Sequence, residues 1–211
     1  MIIKINNKLI GKDQPIFFIA EAGVNHNGSL DTAKKLIEIA KESGADAVKF
    51  QSFFAEEIVL PTTPKATYHI KSTGDDKKQS WMELLKTQEI SYKMHVELIK
   101  YCKKKEIIFL STPYDTKSAD MLSDLGVAAF KIASTDMNNH QMLLHVSKKN
   151  KPIILSTAMS FQDEVISSVN LLLNFGKKEI VLMHCTGSYP ARLKDSNLNV
   201  IKNYKKLFND K

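Results

Sequence analysis

The sequence predicts an α/β fold of about six βα units carrying a parallel sheet. Three observations predict it. Short apolar runs end, one after another, on an ionisable or hydroxyl residue. The last three such runs recur at about 25 residues, the period of a βα unit. The runs are also apolar almost without interruption, as strands covered on both faces must be. In a parallel barrel or an open doubly wound sheet, strand C-termini open on one face, and chemistry is placed there. A closed (β/α)8 barrel typically takes ~250 residues, whereas this chain has 211. The residues alone leave two architectures open: a doubly wound sheet, or a barrel short of its last two units.

Residues 2–10 read as a strand or hairpin through Ile2, Ile3, Ile5, Leu9 and Ile10. Ile16–Ala20 is the first core strand and runs into Glu21. A helix follows Asn27-Gly28-Ser29, with Leu30, Ala33, Ile37 and Ala40 on one face and Gly44 as its stop. The second strand, Ala45–Phe50, carries Lys49 and leads to Gln51. A polar stretch from Gln51 to about Ile90, with Pro61, Pro64 and Gly74, has the length of a functional loop, and Trp81 anchors it. Ser91 caps a helix bearing His95, Leu98, Ile99 and Cys102. Strand three, Ile107–Leu110, meets Ser111-Thr112, and Asp115 caps the next helix, closed by Gly126. Strand four is Val127–Ile132, and a short helix near Gln141–Val146 leads to strand five, Pro152–Leu155. Ser160 and Asp163 form a capping box for a helix over Phe161–Phe175, ended by Gly176. Strand six is Ile180–Met183, and an amphipathic helix spans Leu198–Phe208.

Composition narrows the function. The chain is 43% hydrophobic and 25% charged, with a net charge of +7. Its lysines lie on helix faces and after helices, without an arginine block or interleaved aromatics, which argues against nucleic acid. Cys102 and Cys185 are far apart, with no CxxC, and read as free thiols of a reducing compartment. The first residues are too charged for a signal peptide, and no apolar run approaches ~18 residues. The expected location is cytoplasmic, with no membrane partner.

The chemistry sits at the strand ends. Glu21 occupies a place where an apolar residue would be cheaper, so it reads as a base or a water-orienting group. Lys49 and Lys131 each follow apolar strand residues, and a buried lysine needs an anion or loses its proton. Ser111, Thr112, Ser134 and Ser156 add donors suited to a phosphate or carboxylate. The alternatives are a structural ion pair with Glu21 or Asp136, or a Schiff-base lysine as in class I aldolases. His184 and Cys185 do not make a metal site with the residues around them, and His184 reads as a hydrogen-bonded scaffold residue. Tyr189-Pro190 is a turn that presents a phenol.

The segments IAEAGVNHNGSLDTAKKLI, GADAVKFQSF, EIIFLSTPYD, GVAAFKIASTDMNN, KPIILSTAMS and IVLMHCTGSYPA closely resemble the N-acetylneuraminate (sialic acid) synthases and their legionaminate and pseudaminate relatives. The motifs occur in family order over about residues 14 to 205. The resemblance implies a (β/α)8 TIM barrel, here its N-terminal part over 1–211, with the family's C-terminal antifreeze-like domain absent. It implies condensation of phosphoenolpyruvate with an open-chain N-acetylated hexosamine, either N-acetylmannosamine or a diacetamido-trideoxyhexose. The enol carbon attacks the aldehyde, which a divalent metal such as Mn²⁺ polarises; water then adds, and phosphate leaves with C–O cleavage. By position, Glu21 falls on the catalytic acid. Lys49, Thr112, Lys131, Ser134 and Ser156 fall on the phosphoenolpyruvate contacts, and Gln51, Asp136 and Tyr189 on the sugar contacts. The resemblance places the metal ligands beyond Lys211 and makes full-length relatives homodimers. Gly187, Ser72 and Asp136 depart from the family's more usual residues. An incomplete barrel is expected to leave open strand edges, and so to be marginally stable and inactive alone. The alternative reading is a fragment that binds phosphoenolpyruvate or a partner without turnover.

Overall fold

The computed structural model describes residues 1–65, 70 and 79–208; Ser72 and Gly74 lie outside them. The chain divides into two compact units. One comprises Met1–Phe17, Leu110–Thr112 and Gly126–Lys211; the other comprises Phe18–Phe109 and Pro113–Leu125.

The first unit opens with an antiparallel hairpin, β1 (Ile2–Ile5) and β2 (Lys8–Gly11), turned at Asn6 with φ 53°. Its other sheet has the order β6-β7-β8, all parallel: β6 is Phe130–Ile132, β7 Ile153–Ser156 and β8 Ile180–Met183. Helix α6 (His140–Ser147) connects β6 to β7, and α7 (Gln162–Asn174) connects β7 to β8. Helix α8 (Asn199–Leu207) follows β8. Leu143, Val146, Val165 and Leu172 are fully buried, as are Phe130, Ile132 and Ile153 of the sheet. Each such side chain contributes roughly 1.5–3 kcal/mol relative to exposure.

The second unit contains β3 (Ile19–Gly23) and β4 (Ala47–Ser52), paired in parallel, and the two ends of β5 (Ile108–Pro113), the next strand in the sheet. Ile108 N–H donates to Asp46 O and Tyr114 N–H to Ser52 O, each at 3.0 Å. Both offsets run the same way, so β5 is parallel to β4. Helix α1 (Leu30–Glu42) buries Ala33, Ile37 and Ala40, is capped by Ser29, and ends before Gly44 at φ 80°. Helix α2 (Ala55–Ile58) and helix α3 (Trp81–Gln88) lie in the segment the sequence reads as one polar loop. Ser80 and Glu83 form a reciprocal capping box for α3, and Trp81 packs on Phe53, Ala55, Val59 and Leu85. Trp81 thus anchors the segment, as the sequence predicts. Helix α4 (Tyr92–Lys104) is capped by Ser91, and α5 (Thr116–Asp124) by Asp115. Buried Asp115 accepts from Ser118 N, Ser118 Oγ and Phe54 N, which ties α5 to the chain leaving β4.

Three boundaries differ from the sequence reading. The first core strand starts at Ile19, not Ile16: Ile16 and Phe18 are 75% and 60% exposed, and the Asp46 carboxylate takes the Phe18 amide. It runs on through Glu21, which pairs in register with Lys49, to a bulge at Gly23, where φ is 53°. The fourth strand pairs only over Phe130–Ile132; Val127 and Ala129 are apolar because they are buried, not because they join the ladder. The cap of α7 is one residue late. Glu164 Oε2 takes the Phe161 amide at 2.7 Å, while Ser160 turns back to Ala158 O.

Candidate active site

In the second unit, the parallel register sets Glu21 opposite Lys49 on one face of the β3-β4 pair. Lys49 Nζ reaches Glu21 Oε2 at 2.5 Å. Lys49 is 8% exposed, whereas Glu21 has about half its side chain in solvent. Gln51, two residues along β4, shares the face of Lys49. Gly23 makes room for this group: a Cβ there would sit 3.3 Å from Glu21 Oε1 and 3.7 Å from Gln51 Nε2. Glu21 thus keeps one carboxylate oxygen on a lysine and the other over bare backbone. The Glu21 ion pair, an alternative in the sequence, is the arrangement Lys49 adopts. Gly23 itself escaped the sequence reading, although the run Glu21-Ala22-Gly23 carried its signal.

The opposite face of β4 holds a pair that nothing in the sequence announced. Ser52 Oγ–H donates to His95 Nε2 at 2.7 Å, and His95 Nδ1–H donates to Ser91 O at 3.0 Å, so the tautomer is set. Both residues are fully buried, which makes the pair a structural joint between β4 and α4. His26 Nδ1 accepts the Gly28 amide at 3.0 Å, leaving buried Nε2–H without a hydrogen bond among the described residues. Burial pushes His95 down to about 4 from its ordinary 6.5 and lowers His26 in the same direction. The unfolded chain therefore takes up protons first on acidification. His95 stabilises the fold fully above pH ~6.5, and this contribution, about 3 kcal/mol for the shift of His95, is lost as pH falls toward 4. Thermal melts should show a Tm that declines across that window, and His95→Gln should flatten the decline. An equally steep decline in His95→Gln would remove His95 as its cause.

In the first unit, Lys131 lies within β6, and Ser156 ends β7. Lys131 Nζ donates to Ser156 Oγ and, at 3.0 Å, to Ile132 O. Both residues are buried, at 7% and 6% exposure. Cys185 Sγ lies 3.4 Å from Ser156 Oγ. Ser134 opens a 3₁₀ turn, Ser134–Asp136, in which buried Asp136 accepts from Asn139 Nδ2 at 3.0 Å. Burial lifts the Asp136 carboxyl above its ordinary value. Thr112 and Ser111 are buried within β5, inside the strand rather than after it. His184 Nε2–H donates to Ser196 O at 2.6 Å, in keeping with a scaffold role. Tyr189 stands in solvent at 94% exposure, and Gly187 is exposed. Both cysteines are free, and burial pushes the Cys102 thiol up to about 12.

Among the described residues, no three His, Cys, Asp or Glu side chains gather to hold a metal ion. The described residues by themselves therefore do not make a Mn²⁺ site. No helix of the described residues is long and apolar enough to cross a membrane.

Comparison with known proteins gives a consistent result. Residues 36–211 match the model of a family described as the NeuB family. The chain is 46% identical over 192 residues to an N,N'-diacetyllegionaminic acid synthase of Campylobacter jejuni, covering 90% of this chain and 57% of that protein. It is 41% identical over 198 residues to the spore coat polysaccharide biosynthesis protein SpsE of Bacillus subtilis, covering 94% and 52%. Among solved structures, the N-acetylneuraminic acid (sialic acid) synthetase of Leptospira borgpetersenii in complex with citrate superposes with a TM-score of 0.84. It is 31% identical, and the match covers 99% of this chain and 67% of that one. The chain spans little more than half the length of the curated relatives it matches.

Proposed function

The chain belongs to the NeuB family and has the (β/α)8 type of fold, with two three-stranded parallel sheets among its described residues, and on that footing we propose that it serves a phosphoenolpyruvate-condensing transferase. The second substrate is an N-acetylated hexosamine, N-acetylmannosamine or a diacetamido-trideoxyhexose, and the products are a nonulosonic acid and phosphate. The observation that carries the reading is one buried lysine inside a strand of each unit, Lys49 in β4 and Lys131 in β6. A buried ammonium inside a parallel strand suits an anionic ligand, because burial without an anion would cost it its proton.

The roles follow from donor and acceptor chemistry. Lys131, Ser134 and Ser156 in the first unit, together with Thr112, offer only donors to an anion, and they bind phosphoenolpyruvate. Lys49 is the buried cation of the second unit, and the resemblance gives it too as a phosphoenolpyruvate contact. Glu21 is the catalytic acid: Lys49 holds Oε2, and Oε1 is left to give a proton to the aldehyde oxygen as the C–C bond forms. Gln51, Asp136 and Tyr189 contact the sugar. The cofactor is a divalent metal such as Mn²⁺, on ligands that the described residues do not supply by themselves; a homodimer and a cytoplasmic setting belong to the same reading.

Calorimetric titration with phosphoenolpyruvate should show saturable binding, and phosphate release should require an added N-acetylated hexosamine. Absence of phosphoenolpyruvate binding, or phosphate release that ignores the sugar, would remove this reading.

A further inference from the structure

We propose that Cys185 is a positioning residue: its thiol proton occupies one lone pair of Ser156 Oγ, so that the Ser156 hydroxyl is held as a donor toward an anionic ligand. This rests on the phosphoenolpyruvate reading of the same group.

The hydrogens and lone pairs around Ser156, all within one unit, fix the direction of each bond. A cysteine thiol has one hydrogen to give. Two acceptors lie near Cys185 Sγ: Ser156 Oγ at 3.4 Å and Met183 O at 3.7 Å. The Met183 carbonyl is already filled, because Thr157 N–H donates to it at 3.1 Å and Thr157 Oγ1–H at 2.9 Å. A carbonyl oxygen has two lone pairs, so the thiol proton goes to Ser156 Oγ. Ser156 Oγ also accepts from Lys131 Nζ. A hydroxyl has two acceptor sites and one donor. Both acceptor sites are now used, and the hydroxyl proton remains to be given.

Ser156 is 6% exposed, so this unspent donor is held in a nearly dry place beside an ammonium. Without Cys185, the hydroxyl of Ser156 could rotate freely about its remaining partner. With it, rotation is restricted before the ligand arrives, and binding loses less rotamer freedom. The sequence alone suggests Cys185 as a free thiol or as part of an incomplete metal site. The burial of Ser156 and the saturation of Met183 O give the residue its assignment.

Two measurements test it, one independent of any ligand. In Raman spectra of the 211-residue chain, the S–H stretch of Cys185, identified by its loss in Cys185→Ala, should sit at a hydrogen-bonded position. It should move to higher frequency in Ser156→Ala. An unmoved band overturns the assignment of the proton. In calorimetric titration with phosphoenolpyruvate, Cys185→Ala should weaken binding about three- to tenfold, the range of one neutral hydrogen bond. Cys185→Ser, which restores an O–H donor, should return affinity to within about twofold of wild type. Wild-type affinity in Cys185→Ala, or a Cys185→Ser variant as weak as the alanine, overturns the positioning role while leaving the phosphoenolpyruvate reading standing. If wild type itself fails to bind phosphoenolpyruvate, that reading falls and the functional half of the inference falls with it; the Raman shift still decides the hydrogen bond.

Discussion

Lys131→Met is expected to lower phosphoenolpyruvate affinity about a hundredfold or more, while the melting temperature stays level or rises. The two directions come from one fact: Lys131 is 7% exposed. Burying an ammonium costs several kcal/mol in lost hydration, and its bonds to Ser156 Oγ and Ile132 O recover part of that. An apolar side chain of similar length removes the hydration cost together with those bonds, which is often neutral or stabilising. The ligand, by contrast, loses charge-assisted bonds, and a hundredfold corresponds to about 2.7 kcal/mol. Calorimetric titration and scanning calorimetry on the same preparations check both. A clear fall in Tm with affinity unchanged would make Lys131 a scaffold residue and remove the observation on which the function stands.

Phe50→Ala should destabilise the second unit by about 3–5 kcal/mol, against a total of about 5–15 for a typical domain. Phe50 is fully buried in β4, stacks on Phe109 at 5.6 Å with the rings 17° apart, and has the His26 ring at 6.0 Å. Its neighbours on the other face of the strand are Lys49 and Gln51, so loss of this ring also loosens the strand that carries the Glu21 ion pair. Urea unfolding should show a lower midpoint, and Phe50→Leu should recover most of the loss. A shift under about 1 kcal/mol would mean that the cavity collapses at little cost.

The fold was legible where sequence and burial agree. The α1 face of Ala33, Ile37 and Ala40, the caps at Ser29, Ser91 and Asp115, and β8 as Ile180–Met183 all appear where periodicity places them. Boundaries were legible less often, because apolar character reports burial and not pairing. Val127 and Ala129 are buried without a ladder, whereas polar Glu21, Ser111 and Thr112 lie inside strands. The sequence brought out Lys49, Lys131 and Ser156 because charge and hydroxyl stand out against apolar runs. It offered Glu21 only as one of two counter-ions for Lys49, since the choice depends on the β3-β4 register that sets the two residues opposite each other. The Ser52–His95 joint joins residues 43 positions apart, and no local pattern encodes it. The cap of α7 falls at Phe161, with Glu164 taking its amide, and not at Ser160 as the capping-box motif implies.

All four residues of β8 are only half covered, while those of β7, beside it, are buried throughout. Backbone hydrogen bonds near solvent open at the least cost, so the ladder between Ile153–Ser156 and Ile180–Met183 frays from the β8 side. Cys185 follows two residues after that strand. The thiol that orients Ser156 is thus mounted on the most easily loosened margin of its sheet, and the order of that margin and the readiness of the serine rise and fall together.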